Sequence, residues 1–314
     1  MQYALLALET VALMAVQVLA GFLFARFLKL TDDQYSLMGR LPIVVAFPCM
    51  IYHYTVHKLD LGRMADDALY ILLMVAATVL CLLLSYGVAR LIKTGKNHRG
   101  LFVAMAAMPN SLLFGSTISL GIFGDSAMPY VIYAFLINSL CFWTLGLYLV
   151  QSSAGTQSKL ISLRSLKQLI TTPTIVAFII GLAVALIGIR LPGPVDRAIE
   201  GLGNLSLPVG MMYIGMTLYR TGFKLKLDRD LAAISVMRFI LSPLIMFLLL
   251  RPANPPLMPL MVCVLQMSMP VMTQVSIVAA LEGADVPYVT RATVVTTLLC
   301  LVATPVITYL VPLF

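Results

Sequence analysis

The sequence predicts an all-α membrane protein of ten transmembrane helices in two inverted five-helix repeats. Three observations carry this. The chain is 61% hydrophobic and only 11% charged, with a mean hydropathy of +0.98, too apolar to clothe a soluble domain of 314 residues. Apolar runs of about the 20 residues a bilayer requires recur along the whole chain. Three proline-bearing stretches of the first half return in the second at a nearly constant offset.

The runs place helices near 4–27, 34–56, 67–92, 99–122, 127–150, 169–190, 194–219, 230–250, 255–282 and 287–313. The first, starting near Tyr3, is too long and lacks a small-residue cleavage site, so it reads as a permanent helix. The only long polar connection, Gln151 to Lys167, reads as a cytoplasmic linker. It divides a first repeat, 1–150, from a second, 168–314. The net charge of +8 sits in short loops, so it reports membrane orientation and not a nucleic-acid partner. With both termini outside, 15 basic residues face the cytoplasm, five face out and Arg238 lies within a span. The expected location is a bacterial cytoplasmic membrane. Cys49, Cys81, Cys141, Cys263 and Cys300 all lie in apolar runs and read as packing residues, not a disulfide framework.

Phe47-Pro48 returns as Leu207-Pro208, Met108-Pro109 as Met269-Pro270, and Pro129-Tyr130-Val131 as Pro287-Tyr288-Val289, at offsets of 160, 161 and 158. Five spans per half is an odd number, which inverts the second repeat in the membrane. Pro109 and Pro270 fall inside the fourth and ninth spans, where proline removes a backbone donor and clashes with the preceding turn. The freed carbonyls then need a protein or water-lined shelter. Asn110, Ser111, Ser116 and Thr117 cluster at the first break, and Gln266, Ser268, Thr273 and Gln274 at the second. Interrupted helices in matching positions point to a transporter binding site. The candidate substrate residues are therefore Pro109, Asn110, Ser111, Gln266, Pro270, Thr273 and Gln274. Two plain kinks with packed polar residues are the alternative.

Arg238 lies within the eighth span, where a charge costs about 2.5–3.5 kcal/mol at full depth, so it should face protein or water. It reads either as an anion-attracting or gating group, or as a snorkelling side chain or a cap on carbonyls of a broken helix. Glu9 is the one acid well within a span, near its outer end, so a buried carboxylate proton relay is not expected. Tyr52 and His53, near the end of the second span, read as interface anchors. No triad, phosphate loop or metal-ligand cluster is visible. The chain is thus not expected to be an enzyme or to use a cofactor, and a metal is not specified.

Four stretches resemble the auxin efflux carrier family, which includes plant PIN-type auxin carriers and bacterial carriers of small organic acids. They are Pro109-Asn110-Ser111-Leu112-Leu113-Phe114-Gly115; Gln266-Met267-Ser268-Met269-Pro270 with Ala279-Ala280-Leu281-Glu282; Arg238-Phe239-Ile240-Leu241-Ser242-Pro243; and Ala46-Phe47-Pro48 with Tyr52-His53-Tyr54. The large central loop of the plant carriers is missing, and Val271-Met272 replaces the family's glutamine-glycine. The resemblance implies a fold like bile-acid and sodium/proton transporters. It implies a scaffold of spans 1, 2, 6 and 7, a transport domain of spans 3–5 and 8–10 moving as an elevator, and a homodimer. It also assigns Asn110 to the substrate carboxylate. The expected activity is secondary transport of a small organic anion. A sodium-coupled symporter of an organic acid is the alternative, with a channel or membrane sensor behind it.

Overall fold

The computed structural model describes residues 2–60, 62, 66–156, 162–222 and 228–313. They are helical nearly throughout, with no β-strand among the described residues, only one isolated bridge between Pro109 and Val271. In chain order the helices are α1 (Gln2–Leu28), α2 (Asp32–His57), α3 (Ala68–Leu91), α4 (Lys96–Ala107), α5 (111–123), α6 (128–153), α7 (Leu163–Thr171) and α8 (Pro173–Ile187). They continue as α9 (Gly193–Asn204), α10 (Ser206–Thr221), α11 (229–250), α12 (Leu257–Met267), α13 (Thr273–Glu282) and α14 (Val286–Leu310). One π-helical turn widens each of α2, α5, α6 and α11, at Pro42–Ala46, Ser111–Gly115, Phe142–Gly146 and Met237–Leu241.

Local chemistry starts these helices where the sequence permits. Thr31 and Gln34 form a reciprocal capping box ahead of α2. Asp228 accepts from Leu231 N at 2.8 Å to open α11, and Asp285 from Tyr288 N at 2.9 Å to open α14. Tyrosines then tie helix starts together. Tyr130 and Tyr133 of α6 donate to Asp67, just before α3, at 3.3 and 3.0 Å. Tyr288 of α14 donates to Asp230 of α11 at 3.1 Å.

Six described helical segments are long and apolar enough to cross a membrane, or seven when α7 and α8 count as one bent span. Their outward faces carry apolar side chains such as Val16, Phe27, Leu72 and Val302, each more than 60% exposed, which suits contact with lipid. Packing is densest in the interior, where residues 100–107 of α4 and 259–267 of α12 are all buried. Around them, α1 packs along α10, and the second half of α2 against α8 and α9. Gly21 and Gly215 bring α1 and α10 into backbone contact. A Cβ on Gly215 would lie 1.8 Å from Val18 O, and one on Gly21 would lie 2.0 Å from Met212 O. Small residues at a helix crossing allow this approach in a membrane protein.

Three sequence boundaries need correction. The run 169–190 is not one straight helix. Thr172, the residue before Pro173, takes an extended conformation (φ −62°, ψ 122°), and the chain bends by 60° there. The run 194–219 divides at Leu205 into α9 and α10. Asp196, Arg197 and Glu200 make α9 amphipathic, which averaging over the whole run conceals. Both ends of the Gln151–Lys167 linker are helical, to Ser153 and from Leu163. Its middle, 157–161, lies outside the described residues, as do Arg63, Lys159, Lys224 and Lys226 of the basic-residue pattern.

Candidate functional site at the helix breaks

Both expected breaks are present. α4 stops at Ala107, Met108 turns extended (φ −102°, ψ 111°), and helix resumes at Ser111. α12 stops at Met267 and helix resumes at Thr273. The residue before a proline is pushed out of the helical region, and the proline has no N–H to offer the preceding turn. The two irregular segments lie side by side. Pro109 and Val271 form the antiparallel bridge, and Asn110 N donates to Pro270 O at 2.9 Å. Asn138 Nδ2 of α6 donates to Pro109 O at 2.7 Å, and Val271 N donates to Thr296 Oγ1 of α14 at 3.1 Å. Protein groups thus supply the partners that lipid does not.

Arg238 joins the two breaks from beneath. It is fully buried and sits in the widened turn of α11. Its Nε donates to Met269 O at 2.8 Å, Nη2 to Met267 O at 2.7 Å and Nη1 to Ala106 O at 3.2 Å. These carbonyls lie at or just past the C-terminal ends of α4 and α12, where the peptide dipoles leave partial negative charge. One planar guanidinium therefore neutralises both ends, a task its forked donors suit better than a point charge would. The N-terminal ends of α5 and α13 remain, each carrying partial positive charge toward the crossing.

Several polar atoms around the crossing are buried without a hydrogen-bond partner: Asn110 Nδ2, Ser111 Oγ, Asn138 Oδ1 and Gln266 Oε1. Pro109, Ser111, Asn138 and Gln266 line a cavity of about 10 Å³ together with Met74, Thr78, Cys263 and Met267. That is room for about one water. No carboxylate is among its lining residues. The Asn110 side chain makes no capping bond to α5, so its donors are not spent on the helix it precedes. Gln266 Nε2 donates to Ser119 Oγ at 3.2 Å, and its carbamoyl group lies against Gly115, where a Cβ would come within 2.2 Å of Oε1.

Of the expected site residues, Pro109, Asn110, Ser111, Gln266 and Pro270 meet at the crossing. Thr273 and Gln274 open α13, half-buried, and they do not line the cavity, nor do Asn110 and Pro270. Arg238 touches both breaks through carbonyls. Sequence reasoning missed Asn138 and Thr296. Asn138 is a lone amide in the apolar run Leu136-Ile137-Asn138-Ser139-Leu140, a signal available only to a reader who asks every buried amide for its partner. The five cysteines are free, and Cys263 lines the cavity as well as packing.

Residues 6–308 match a family model described as membrane transport protein. An uncharacterized transporter of Methanothermobacter thermautotrophicus is 30% identical over 95% of this chain and 96% of its own length. One of Methanocaldococcus jannaschii is 21% identical over 92% and 94%. The uncharacterized transporter YfdV of Escherichia coli K12 is 22% identical over 74% of each chain.

Proposed function

Because this chain belongs to the auxin efflux carrier family of membrane transport proteins, we propose that it is a secondary transporter of a small organic anion, a carboxylate, working by an elevator motion. The observation that carries the anion is the Asn110 amide, buried, unpartnered and not used as a cap. It stands at the start of α5, where the first backbone N–H groups have no intrahelical partner and favour negative charge. Arg238 already occupies carbonyls at the negative ends of both breaks. The field left at the crossing is therefore that of two positive helix ends. The present cavity has room for about one water and not for a carboxylate, so this reading requires it to widen and to reach Asn110. Met74 and Met267 on its wall are flexible enough to allow that.

In this reading the chain crosses the membrane ten times in two inverted repeats, with both termini outside a bacterial cytoplasmic membrane. Two features support the repeat. Breaks in α4–α5 and α12–α13 cross each other, and the repeat-related tyrosines Tyr130 and Tyr288 each bond an aspartate at the start of another helix. The packing of α1 on α10 and of α2 on α8 and α9 supports a scaffold of spans 1, 2, 6 and 7 beside a moving body of spans 3–5 and 8–10, and the family resemblance adds that two such chains form a homodimer.

The test is Asn110→Ala, with affinity and thermal stability measured together after a thermal-shift screen of mono- and dicarboxylates. Losing a hydrogen bond to a charged group costs about 1.5–3 kcal/mol, or roughly 10- to 150-fold in affinity. The expected variant binds that much more weakly and melts as the parent does. Unchanged affinity in the folded variant ends the proposal. A sodium-coupled symporter is the second reading. Asn138 Oδ1 and Gln266 Oε1, buried oxygens without donors, are the kind of ligand a sodium ion takes. Transport that needs sodium would select it.

A further inference from the structure

The last turns of α2 carry two of the chain's three histidines, His53 and His57. Four residues apart on a helix, they share a face, and their ring centroids are 4.7 Å apart. Asp196, in the first turn of α9, reaches across from 139 residues away and sets Oδ1 2.9 Å from His57 Nε2. One ligand-type atom from each of the three residues lies within 4.8 Å of the others. None of them lines the crossing cavity.

A simple hydrogen bond between His57 and Asp196 explains only part of this arrangement. It leaves His53 Nδ1 buried with no hydrogen-bond partner, and a polar atom hidden from both water and protein is costly. The surroundings also suit a cation. Asp125 and Glu200 add negative charge at His53. Lys58, next to His57 in the chain, is drawn to Asp125, with Nζ 3.0 Å from Oδ2. His57 and Asp196 keep 38% and 30% of their side-chain surface exposed, so an ion can enter and the side chains can adjust.

We propose that His53, His57 and Asp196 bind a divalent transition-metal ion at the end of α2, joining it to α9. Two imidazoles and one carboxylate, with water as fourth ligand, make a zinc donor set, and zinc is the ion proposed. Tetrahedral zinc with bonds of about 2.0–2.1 Å sets its ligand atoms roughly 3.3 Å apart. His57 and Asp196 must therefore separate by a few tenths of an ångström while His53 closes in. The bound ion replaces a single hydrogen bond with coordination bonds and, bound through His53 Nδ1, satisfies the orphaned ring nitrogen. It ties the amphipathic α9 to the span beside it. The proposal is independent of what the helix crossing transports.

The experiment uses the purified full chain with any polyhistidine tag removed. Zinc chloride is titrated by calorimetry, and cobalt(II) by its visible absorption, which reports tetrahedral coordination. One ion should bind per chain, zinc should displace cobalt, and the apparent melting temperature should rise with zinc. His53→Ala, His57→Ala and Asp196→Asn should each weaken binding at least tenfold, whereas His98→Ala should bind as the parent does, because His98 pairs with Asp285 elsewhere. His53→Gln keeps the volume of the ring in case the alanine variant does not fold, and should lose binding equally. Absence of saturable zinc binding in the parent, parental affinity in the folded His53 and His57 variants, or loss of binding in His98→Ala would each overturn the site.

Discussion

Replacing Arg238 with methionine keeps much of the length of the side chain and removes all its N–H donors. Three carbonyls on two helices then lose their partner: Met269 O, Met267 O and Ala106 O. The side chain is fully buried, so water does not take over. Interhelical hydrogen bonds in membrane proteins are worth about 0.6 kcal/mol on average and up to about 1.7, so three come to roughly 2–5 kcal/mol. Removing the charge that faces two helix C-termini pushes the value toward the upper end. At about 2–4 °C per kcal/mol for chains somewhat shorter than this one, the apparent melting temperature should fall by roughly 4–20 °C. Thermal unfolding in detergent, followed through Trp143, the single tryptophan, measures this. Hydrogen exchange at 106–110 and 267–271 locates it. Arg238→Lys restores the charge, but one ammonium does not span carbonyls on two helices, so it should lie between parent and methionine variant. A methionine variant that melts at the parent temperature with unchanged exchange at both breaks would refute the claim that Arg238 holds the crossing together.

Three further outcomes are expected. Gly215→Val should sharply lower folded yield, because its Cβ falls 1.8 Å from Val18 O, while Gly87→Ala, with nothing within 4 Å, should be neutral by size-exclusion profile. Asp67→Asn and Asp230→Asn each weaken tyrosine bonds and should cost about 1 kcal/mol apiece. Because the clasps are at different helix pairs, a double variant should be additive in chemical unfolding; strong coupling would contradict two separate clasps. Glu9→Gln should leave transport and its pH dependence intact, since Glu9 is exposed on α1 and away from the crossing; a lost proton dependence in proteoliposome flux would reverse that.

The sequence spoke most clearly where chemistry is local. Pro109 and Pro270 announce the breaks because proline lacks the donor a helix needs, and both breaks lie where they were expected. Arg238 announced only that a buried charge required a partner; carbonyl capping was one of two readings, and the geometry required three acceptors from distant residues to distinguish it. Asn138 was silent because a lone amide has no spacing to betray its partner. The His53, His57 and Asp196 group went unread: His53 near a helix end reads as an interface anchor, and Asp196 joins the two histidines only through the packing of α9 on α2. The division of 194–219 was hidden by averaging an amphipathic turn with an apolar one. The widened turns in α2, α5, α6 and α11 leave no composition signal.

The crossing also dictates an order of events on the ribosome. Within the first 150 residues, Pro109 O can already find Asn138 Nδ2. In the folded protein the Asn110 N–H and the Ala106 carbonyl are taken by Pro270 O and Arg238, which have yet to be made at that stage, so the two can pair only locally, four residues apart as in an ordinary helical turn. The newly inserted first half therefore holds a provisional backbone pairing at this point until the last third of the chain arrives to replace it with the crossing. A truncated first half would keep that local pairing and lack the second break and the buried arginine that replace it.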